Sequence, residues 1–283
     1  MEIKKLGIIA NMKKRGIEKI ISDSLKLVPD EVEVVGVAEV SGIEGRIRQI
    51  KSFSGSDLIL ALGGDGTILH AARIVQDEEI PIMGIKVRSL GFLAEDNQKE
   101  ALEELFSGGC STQSRMRLEA EREKSENGEV NTALNDIVIN GVGVSRVLHI
   151  RMKINQTLLG EYLSDGVIIS TPTGSTAYSL AAGGPIIDPV KNDSIIITPL
   201  CPHSLSVRPV VVSPEEIIEI EVIEAGGRII MTEDGQAGTE ISLNEKILIK
   251  KSPKVTRLVV KSDYNFYTLV REKLKWGGVL RRR

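Results

Sequence analysis

Two patterns of apolar residues divide the chain near residue 110. Up to about Gly108, short apolar runs typical of buried parallel strands alternate with stretches in which apolar residues recur at helical spacing. The runs are Leu6–Ala10, Val32–Val37, Asp57–Leu62 and Ile80–Ile85, and the helical stretches are Ile17–Val28, Ile43–Phe53, Thr67–Gln76 and Asn97–Phe106. Strands that alternate with helices predict a doubly wound α/β domain over residues 1–110.

The second half of the chain has an apolar period of two. Leu148, Ile150 and Met152 alternate with polar residues, and turn signals separate this run from others like it. This pattern predicts a mostly antiparallel β-sandwich domain over residues 111–260, with one helical interruption at Ser175–Ala182. Residues 261–283 form a tail that we expect to pack back on the first domain, and its Asn265–Lys275 segment is predicted to be helical.

Charge and hydropathy exclude several classes of partner. The 36 basic and 39 acidic residues give a net charge of -3, which offers no general attraction to a nucleic-acid backbone. The basic run Arg281–Arg283 is more typical of a solvated tail than of a binding patch. No apolar run approaches the roughly 18 residues that a membrane helix needs. The N-terminal apolar stretch is too short for a secretory signal, so we expect a cytoplasmic protein without membrane or nucleic-acid partners.

Cysteine and histidine are too sparse for a metal centre held by the protein. Cys110 and Cys201 belong to no CxxC or Cys/His array, and the three histidines are not spaced to share a metal. We expect both cysteines to be reduced and no transition metal to be bound by protein ligands alone.

The segment Gly63–Thr67, with the sequence GGDGT, follows a predicted strand and precedes a predicted helix. Glycines in such a turn let backbone N–H groups approach an anion, and the helix N-terminus adds a favourable dipole. A tight turn with Thr67 as a helix cap is the purely structural alternative. Asp65 favours the phosphate-site interpretation, because a carboxylate there could accept a proton from an attacking hydroxyl or hold magnesium. The segment matches neither a Walker A loop nor a spaced GxGxxG fingerprint.

A second segment, Asp165–Tyr178, runs from a short apolar strand into a turn rich in hydroxyl groups and then into a predicted helix. Ser175 or Thr176 could cap that helix. An ordinary capped helix would explain one or two of the hydroxyls, whereas the whole set suits hydrogen bonding to a flat, polar ligand such as a nucleoside.

These segments, together with Asn135–Asp136, Gly183–Pro185 and Pro199–Pro209, resemble the motifs of NAD kinases and occur in that family's order. The GGDGT loop alone is weak evidence, since other kinases carry similar loops. The serine- and threonine-rich segment and the sequence PHSLSVRP are more specific. The resemblance extends from Leu6 to Trp276 and so covers nearly the whole chain.

The resemblance implies a kinase that moves the terminal phosphate of ATP, or of polyphosphate, to the 2′-hydroxyl of the adenosine ribose of NAD. It implies Mg²⁺ or another divalent cation with ATP, an active site in a cleft between the two domains, and a homodimer or homotetramer. It assigns Asp65 as the catalytic carboxylate. By the same resemblance, phosphate is contacted by Gly63, Gly64, Gly66 and Thr67, and NAD is contacted by Phe92, Asn135, Asp136, Asp165, Thr173, Thr176, Ala177 and Tyr178.

Asn135–Asp136 could by composition alone be a turn before the strand Ile137–Asn140, and many relatives have Glu where this chain has Asp136. Leu163, two residues before Asp165, predicts a preference for NAD over NADH by analogy with the residue thought to set this choice in the family.

The chain departs from the family pattern after its fourth strand. Lys86 replaces an asparagine and Arg88 replaces a glycine. Both cations could contact phosphate, or both could point into solvent. Two other functions remain open at this point: a GGDGT-type kinase acting on a lipid or sugar, and a non-catalytic NADP(H)-binding regulator in which Lys86 and Arg88 grip the 2′-phosphate.

Overall fold

The computed structural model describes residues 2–43, 45–87, 91–125, 128, 130–143 and 145–277. The helices are α1 (Ile17–Leu25), α2 (Ala38–Ser41), α3 (Asp65–Ile74), α4 (Gln98–Ser107), α5 (Tyr178–Ala181) and α6 (Phe266–Leu274). The strands are β1 (Lys5–Ala10), β2 (Glu33–Gly36), β3 (Ile47–Gln49), β4 (Leu58–Gly63), β5 (Ile82–Lys86), β6 (Ser111–Arg122), β7 (Val130–Ala133), β8 (Asp136–Val142), β9 (Leu148–Ile154), β10 (Thr157–Ser164), β11 (Gly166–Ser170), β12 (Ile195–Leu200), β13 (Val210–Val212), β14 (Ile218–Ala225), β15 (Arg228–Glu233), β16 (Ala237–Ile241) and β17 (Lys246–Val260).

The chain folds as two units, residues 1–114 with 256–283 and residues 115–255. In the first unit, parallel strands lie in the order β5, β4, β1, β2, β3. All six residues of β4 are buried, which explains why this strand has a continuous apolar run rather than an alternating one. The last part of β17 joins this unit, and its Leu258 pairs in parallel with Ile82 of β5. The predicted α/β architecture is confirmed.

The helix predicted over Ile43–Phe53 is wrong. Ile47–Gln49 is instead the short strand β3, which pairs in parallel with β2 at the edge of the sheet. Only Ile47 of the three strand residues is buried, so the apolar spacing that predicted a helix does not correspond to the buried face of a helix. The Arg46 guanidinium donates hydrogen bonds to the carbonyl oxygens of Leu25 and Val28, at 2.8 and 2.9 Å, and this anchors the start of the strand on the end of α1.

The second unit is a sandwich of two antiparallel sheets, as the alternating pattern predicted. One sheet has the order β10, β9, β14, β17, with β6 and β7 added beside β17, and the other has the order β13, β12, β11, β8, β15, β16. Leu148, Ile150 and Met152 of β9 all point into the core between the sheets. The outward residues between them are polar, as expected for a sheet with one face in solvent.

The helical interruption is shorter than predicted. A single turn of 3₁₀ helix, Gly174–Thr176, precedes the four-residue α5. Neither Ser175 nor Thr176 caps α5, because its N-cap is Ala177. The tail helix is found as α6, where the Asn265 side chain accepts a hydrogen bond from the N–H of Thr268 at 3.0 Å. Within the described residues, no helix is both long enough and apolar enough to cross a bilayer.

Candidate active site

The GGDGT segment connects the carboxyl end of β4 to the first turn of α3. Gly64 is the N-cap residue of α3, and its N–H donates a long hydrogen bond of 3.4 Å to the Thr67 hydroxyl. A side chain at Gly63 is ruled out, since its Cβ would lie 2.0 Å from Thr67 Oγ1. A Cβ on Gly66 would meet nothing within 4 Å. The turn therefore presents the N-terminus of a ten-residue helix beside an open glycine, which is an anion-binding geometry.

Asp65 is the first residue of α3, and its carboxylate is held by two main-chain groups. Oδ2 accepts a hydrogen bond from the N–H of Phe92 at 2.8 Å, and Oδ1 accepts one from the N–H of Leu93 at 3.2 Å. Burial raises the pKa of Asp65, while these two N–H groups and the charges of Lys273 and Lys86 oppose that rise. Such a carboxylate is fixed in orientation and suited to accept a proton.

Gly91 makes this arrangement possible. A Cβ on Gly91 would lie 2.2 Å from Asp65 Oδ1, so only glycine lets the following segment approach the carboxylate. Phe92 contributes its main chain to Asp65. The contact of its ring with a dinucleotide stays a prediction.

Lys86 is paired within its own unit. Its ammonium lies 2.8 Å from Oδ1 of Asp96, and the hydrogen bond to Asp96 is the main cause that raises the pKa of Lys86. The other oxygen of Asp96 lies 2.7 Å from the ammonium of Lys273 on α6. Contact of Lys86 with phosphate stays a prediction. Arg88 lies outside the described residues, so its contact with phosphate also stays a prediction.

A pocket of about 410 Å³ in the second unit brings four predicted residues together. They are Asn135 and Asp136, at the start of β8, with Ala177 and Tyr178 at the start of α5. Tyr178 is half exposed, so its ring is available to a ligand. The remaining lining residues are Val138, Asn140, Thr232, Asp234 and Gly235. The size is within the range of small-molecule sites.

Asp234 organises this pocket and was not found from the sequence. Its Oδ2 accepts a hydrogen bond from the N–H of Leu134 at 2.9 Å, and its Oδ1 accepts bonds from the N–H groups of Asn135 and Asp136 at 2.6 and 3.2 Å. Asp234 has a φ of 53°, in the left-handed region that Asp tolerates in turns. An Asp-Gly pair between two alternating strands is a hairpin signal, and it could have drawn attention to Asp234 and Gly235.

The two residues positioned by Asp234 are nearly buried. Asp136 is 4% exposed, and burial together with the negative charge of Asp234 raises the pKa of Asp136 to about 7. Asn135 is 8% exposed, and its buried Oδ1 accepts no hydrogen bond from the described residues. A buried acceptor without a donor is costly, so Oδ1 of Asn135 needs a hydrogen-bond donor that the described residues do not supply, and its contact with NAD stays a prediction.

Most hydroxyls of the Asp165–Tyr178 segment hold the protein together rather than face a ligand. Ser170 and Thr171 donate to the carbonyl oxygens of Asn135 and Leu134, at 3.2 and 2.6 Å. Ser175 donates to the carbonyl oxygen of Pro172 at 2.7 Å. The prediction that the whole set serves a nucleoside is therefore wrong for these three. Their bonds fix the chain that carries Asn135.

Four other predicted residues are not among those that line the pocket. Thr173 is buried, and the Thr176 hydroxyl donates to its carbonyl oxygen at 3.3 Å. Asp165 forms an ion pair with Arg146, with 3.1 Å between Oδ2 and Nε. Leu163 lies half exposed on β10. Their contacts with NAD, and the acceptor preference assigned to Leu163, stay predictions.

Comparison with known proteins gives a consistent result along the whole chain. Residues 6–109 match the model of the ATP-NAD kinase N-terminal domain, and residues 134–261 match that of the C-terminal domain. An NAD kinase from Caldanaerobacter subterraneus subsp. tengcongensis is 40% identical, over 96% of this chain and 99% of its own length. An NAD kinase from Moorella thermoacetica is 37% identical over 98% of this chain and 91% of its own.

Two solved structures share the fold. The crystal structure of yeast NADH kinase complexed with NADH has a TM-score of 0.91 at 24% identity, covering 100% of this chain and 91% of that one. The crystal structure of an NAD kinase from Archaeoglobus fulgidus in complex with ATP has a TM-score of 0.72 at 23% identity, covering 96% and 98%. The two family models together match most of the chain, and the resemblance of its motifs is confirmed: the chain belongs to the NAD kinase family.

Proposed function

We propose that this member of the NAD kinase family transfers the terminal phosphate of ATP to the 2′-hydroxyl of the adenosine ribose of NAD, with Asp65 accepting the hydroxyl proton. The observation that carries the proposal is the buried Asp65 carboxylate, fixed by two main-chain N–H groups at the N-terminus of α3. Family membership favours this enzyme over a lipid or sugar kinase and over a non-catalytic NADP(H)-binding regulator.

The glycine turn and the N-terminus of α3 would bind the phosphates of the donor. Backbone N–H groups there point along the helix axis toward an anion, and Gly66 leaves room for close approach. In the transfer, the ribose 2′-oxygen forms a bond to phosphorus as the bond from phosphorus to the ADP oxygen breaks. The hydroxyl proton passes to Asp65, and ADP leaves with the electrons of the broken bond.

The pocket around Asn135 would hold the acceptor. The unsatisfied Oδ1 of Asn135 would accept a hydrogen bond from NAD, Asp136 would bind a ribose hydroxyl, and the exposed ring of Tyr178 would cover the base. Hydrogen bonds to ribose hydroxyls position the acceptor without taking part in the bond changes.

The divalent cation would enter the site bound to ATP, as part of the donor substrate. Among the described residues, no three His, Cys, Asp or Glu side chains form a group that could hold a metal ion. Mg²⁺ in such enzymes is commonly held by substrate phosphates with one or two carboxylates, and it neutralises charge on the phosphates. The proposal places the protein in the cytoplasm, in keeping with its two unpaired thiols and its intracellular substrates.

We propose a homodimer or homotetramer that uses one edge of the sandwich. Leu158 and Leu159 on β10 and Leu205 are 56%, 46% and 88% exposed. The N–H of His203 donates to the carbonyl oxygen of Leu163 at 2.9 Å, which places the segment carrying Leu205 beside β10. Exposed leucines next to an edge strand favour contact with another chain.

The proposal is tested by incubating the protein with NAD, Mg²⁺ and either ATP or polyphosphate, and measuring NADP. We expect NADP with ATP, and a parallel assay with NADH tests the predicted preference for NAD. The Asp65→Asn protein is the control for a contaminating kinase. Absence of NADP with both donors, from protein that is folded by circular dichroism, would contradict the proposed function.

A further inference from the structure

The C-terminal helix carries a lysine into the surroundings of Asp65. Lys273 lies in the last turn of α6, and only 8% of its side chain is exposed. A lysine this well buried is rare unless it is paired, because removing an ammonium from water is costly. Lys273 lies 208 positions after Asp65 in the sequence.

The partner of Lys273 is shared with a second lysine. Oδ2 of Asp96 lies 2.7 Å from the ammonium of Lys273, and Oδ1 lies 2.8 Å from the ammonium of Lys86. Only 19% of the Lys86 side chain is exposed. Two cations therefore share one carboxylate, which leaves one positive charge in excess among these three groups.

Asp65 lies next to this cluster, because Lys86 on β5 pairs in register with Gly63 on β4, two residues before Asp65. Both Lys273 and Lys86 favour its ionised form, in opposition to burial, and the N–H groups of Phe92 and Leu93 act in the same sense as the lysines. With Asp65 ionised, the four side chains are neutral as a set. With Asp65 protonated, the set keeps a net positive charge.

We propose that Lys273 is a positioning residue of the phosphotransfer site, which acts through Asp96 and beside Lys86 to hold an excess positive charge that favours the carboxylate form of Asp65. This rests on the proposed role of Asp65 as proton acceptor, and it gives the C-terminal helix a part in the reaction.

The test is a direct titration of Asp65 in the full-length protein, read from the ¹³C signal of its side-chain carboxyl group and assigned with the Asp65→Asn variant. Lys273→Met should raise the titration midpoint by on the order of one pH unit, since a nearby opposite charge is lost. Lys273→Arg keeps the positive charge, so its Asp65 midpoint should equal that of wild type. Arg271→Met removes a cation from the same helix, but the Arg271 side chain is 68% exposed and the midpoint should not move.

If Lys273→Met does not fold, the Asp96→Asn variant provides the test. It leaves both lysines without a carboxylate partner, so the Asp65 midpoint should fall, opposite in sign to the effect of Lys273→Met. A role of Lys273 in packing alone predicts no such pair of opposite shifts. An unchanged midpoint in Lys273→Met, or a raised one in Asp96→Asn, would overturn the inference.

The titration does not depend on the reaction, so it stands even if no NADP is formed. In the active enzyme, the acidic limb of kcat against pH should move with the NMR midpoint, while the KM for NAD should stay within about twofold of wild type. The NMR midpoint of Asp65 could shift while the acidic limb of kcat against pH stays in place in every variant. That result would show that Asp65 is not the proton acceptor, and it would contradict the proposed function instead.

Discussion

Asp65 experiences two opposing effects at the scale of a single residue. Burial disfavours its charge, whereas the helix N-terminus, two main-chain donors and nearby lysines favour it. A carboxylate balanced in this way can accept a proton during the reaction and release it afterwards.

Asp65→Asn should lower kcat by about 10²- to 10⁴-fold, the usual contribution of general-base assistance. The fold should be kept, since the amide oxygen can still accept one of the two N–H bonds. Steady-state NADP formation and thermal unfolding measure the two effects. Asp30→Asn, at a fully exposed position, is the matched control and should behave as wild type. More than half of the wild-type turnover in Asp65→Asn would remove Asp65 from the mechanism.

The raised pKa of Asp136 predicts that the stability of the protein depends on pH. Its pKa is about 7 in the folded protein against an ordinary value of 3.8, so the native state holds a proton that the unfolded state releases. Its contribution to the free energy of unfolding is therefore favourable at low pH and declines as the pH rises from about 4 through 7.

Asp136→Asn removes this decline because the amide does not titrate. Urea unfolding at pH 5 and pH 8 gives the free energy of unfolding of both proteins. The free energy of the variant minus that of wild type should be larger at pH 8 than at pH 5, by at most roughly 1.4 kcal/mol per unit of pKa shift. Asp30→Asn should show no such gain. A difference between variant and wild type that is equal at both pH values would show that Asp136 titrates normally.

At the scale of an element, the segment that follows β5 holds Asp65 in place. Gly91→Ala would put a Cβ 2.2 Å from Oδ1 and 2.6 Å from Cγ of that side chain. The three atoms nearest to that Cβ all belong to the Asp65 carboxyl group.

Gly91→Ala should therefore lower kcat by about tenfold or more through displacement of Asp65, with a smaller effect on the KM for NAD. Gly45→Ala is the matched control, since a Cβ there meets nothing within 4 Å. Equal kcat values for Gly91→Ala and wild type would mean that the segment moves aside at no cost to catalysis.

Elements with a strong local pattern were predictable from the sequence. The buried strand β4 and the amphipathic α1 and α6 lie where their apolar spacing placed them, within a few residues. Ile47–Gln49 was misassigned because an edge strand with one buried residue has no period to read. Its structure depends on pairing with β2, which is a tertiary contact.

The glycine turn was predictable in position, because one local motif marks the passage from β4 to α3, and its contact with phosphate stays a prediction. Asp234 was missed because its hydrogen bond to Asn135 joins residues 99 positions apart. The hydroxyls of Ser170 and Thr171 were given to a ligand because residue type alone does not reveal a buried carbonyl partner. Ion pairing of Lys86 with Asp96 likewise depends on how the chain returns after β5.

At the scale of the whole molecule, the proposed homo-oligomer can be tested by introducing charged residues into its proposed interface. Leu158→Asp with Leu205→Asp should lower the sedimentation coefficient toward that of a 30.8 kDa monomer, since burying two charges in an apolar contact is costly. Leu243→Asp changes a half-exposed leucine in the turn between β16 and β17 and should leave assembly unchanged. The same sedimentation for the double variant and wild type would place the interface elsewhere.

The first unit is built from two stretches of chain, 1–114 and 256–283, whereas the second is one stretch, 115–255. Val259 is part of the hydrophobic core that also contains Leu6 and Leu60. On the ribosome, that core is incomplete until the second unit has been made. At 5–20 residues per second, the intervening 141 residues (255 minus 114) take roughly 7 to 28 s. For that time the apolar strand β4 lacks its full native surroundings, so the nascent chain should depend on chaperones early in synthesis.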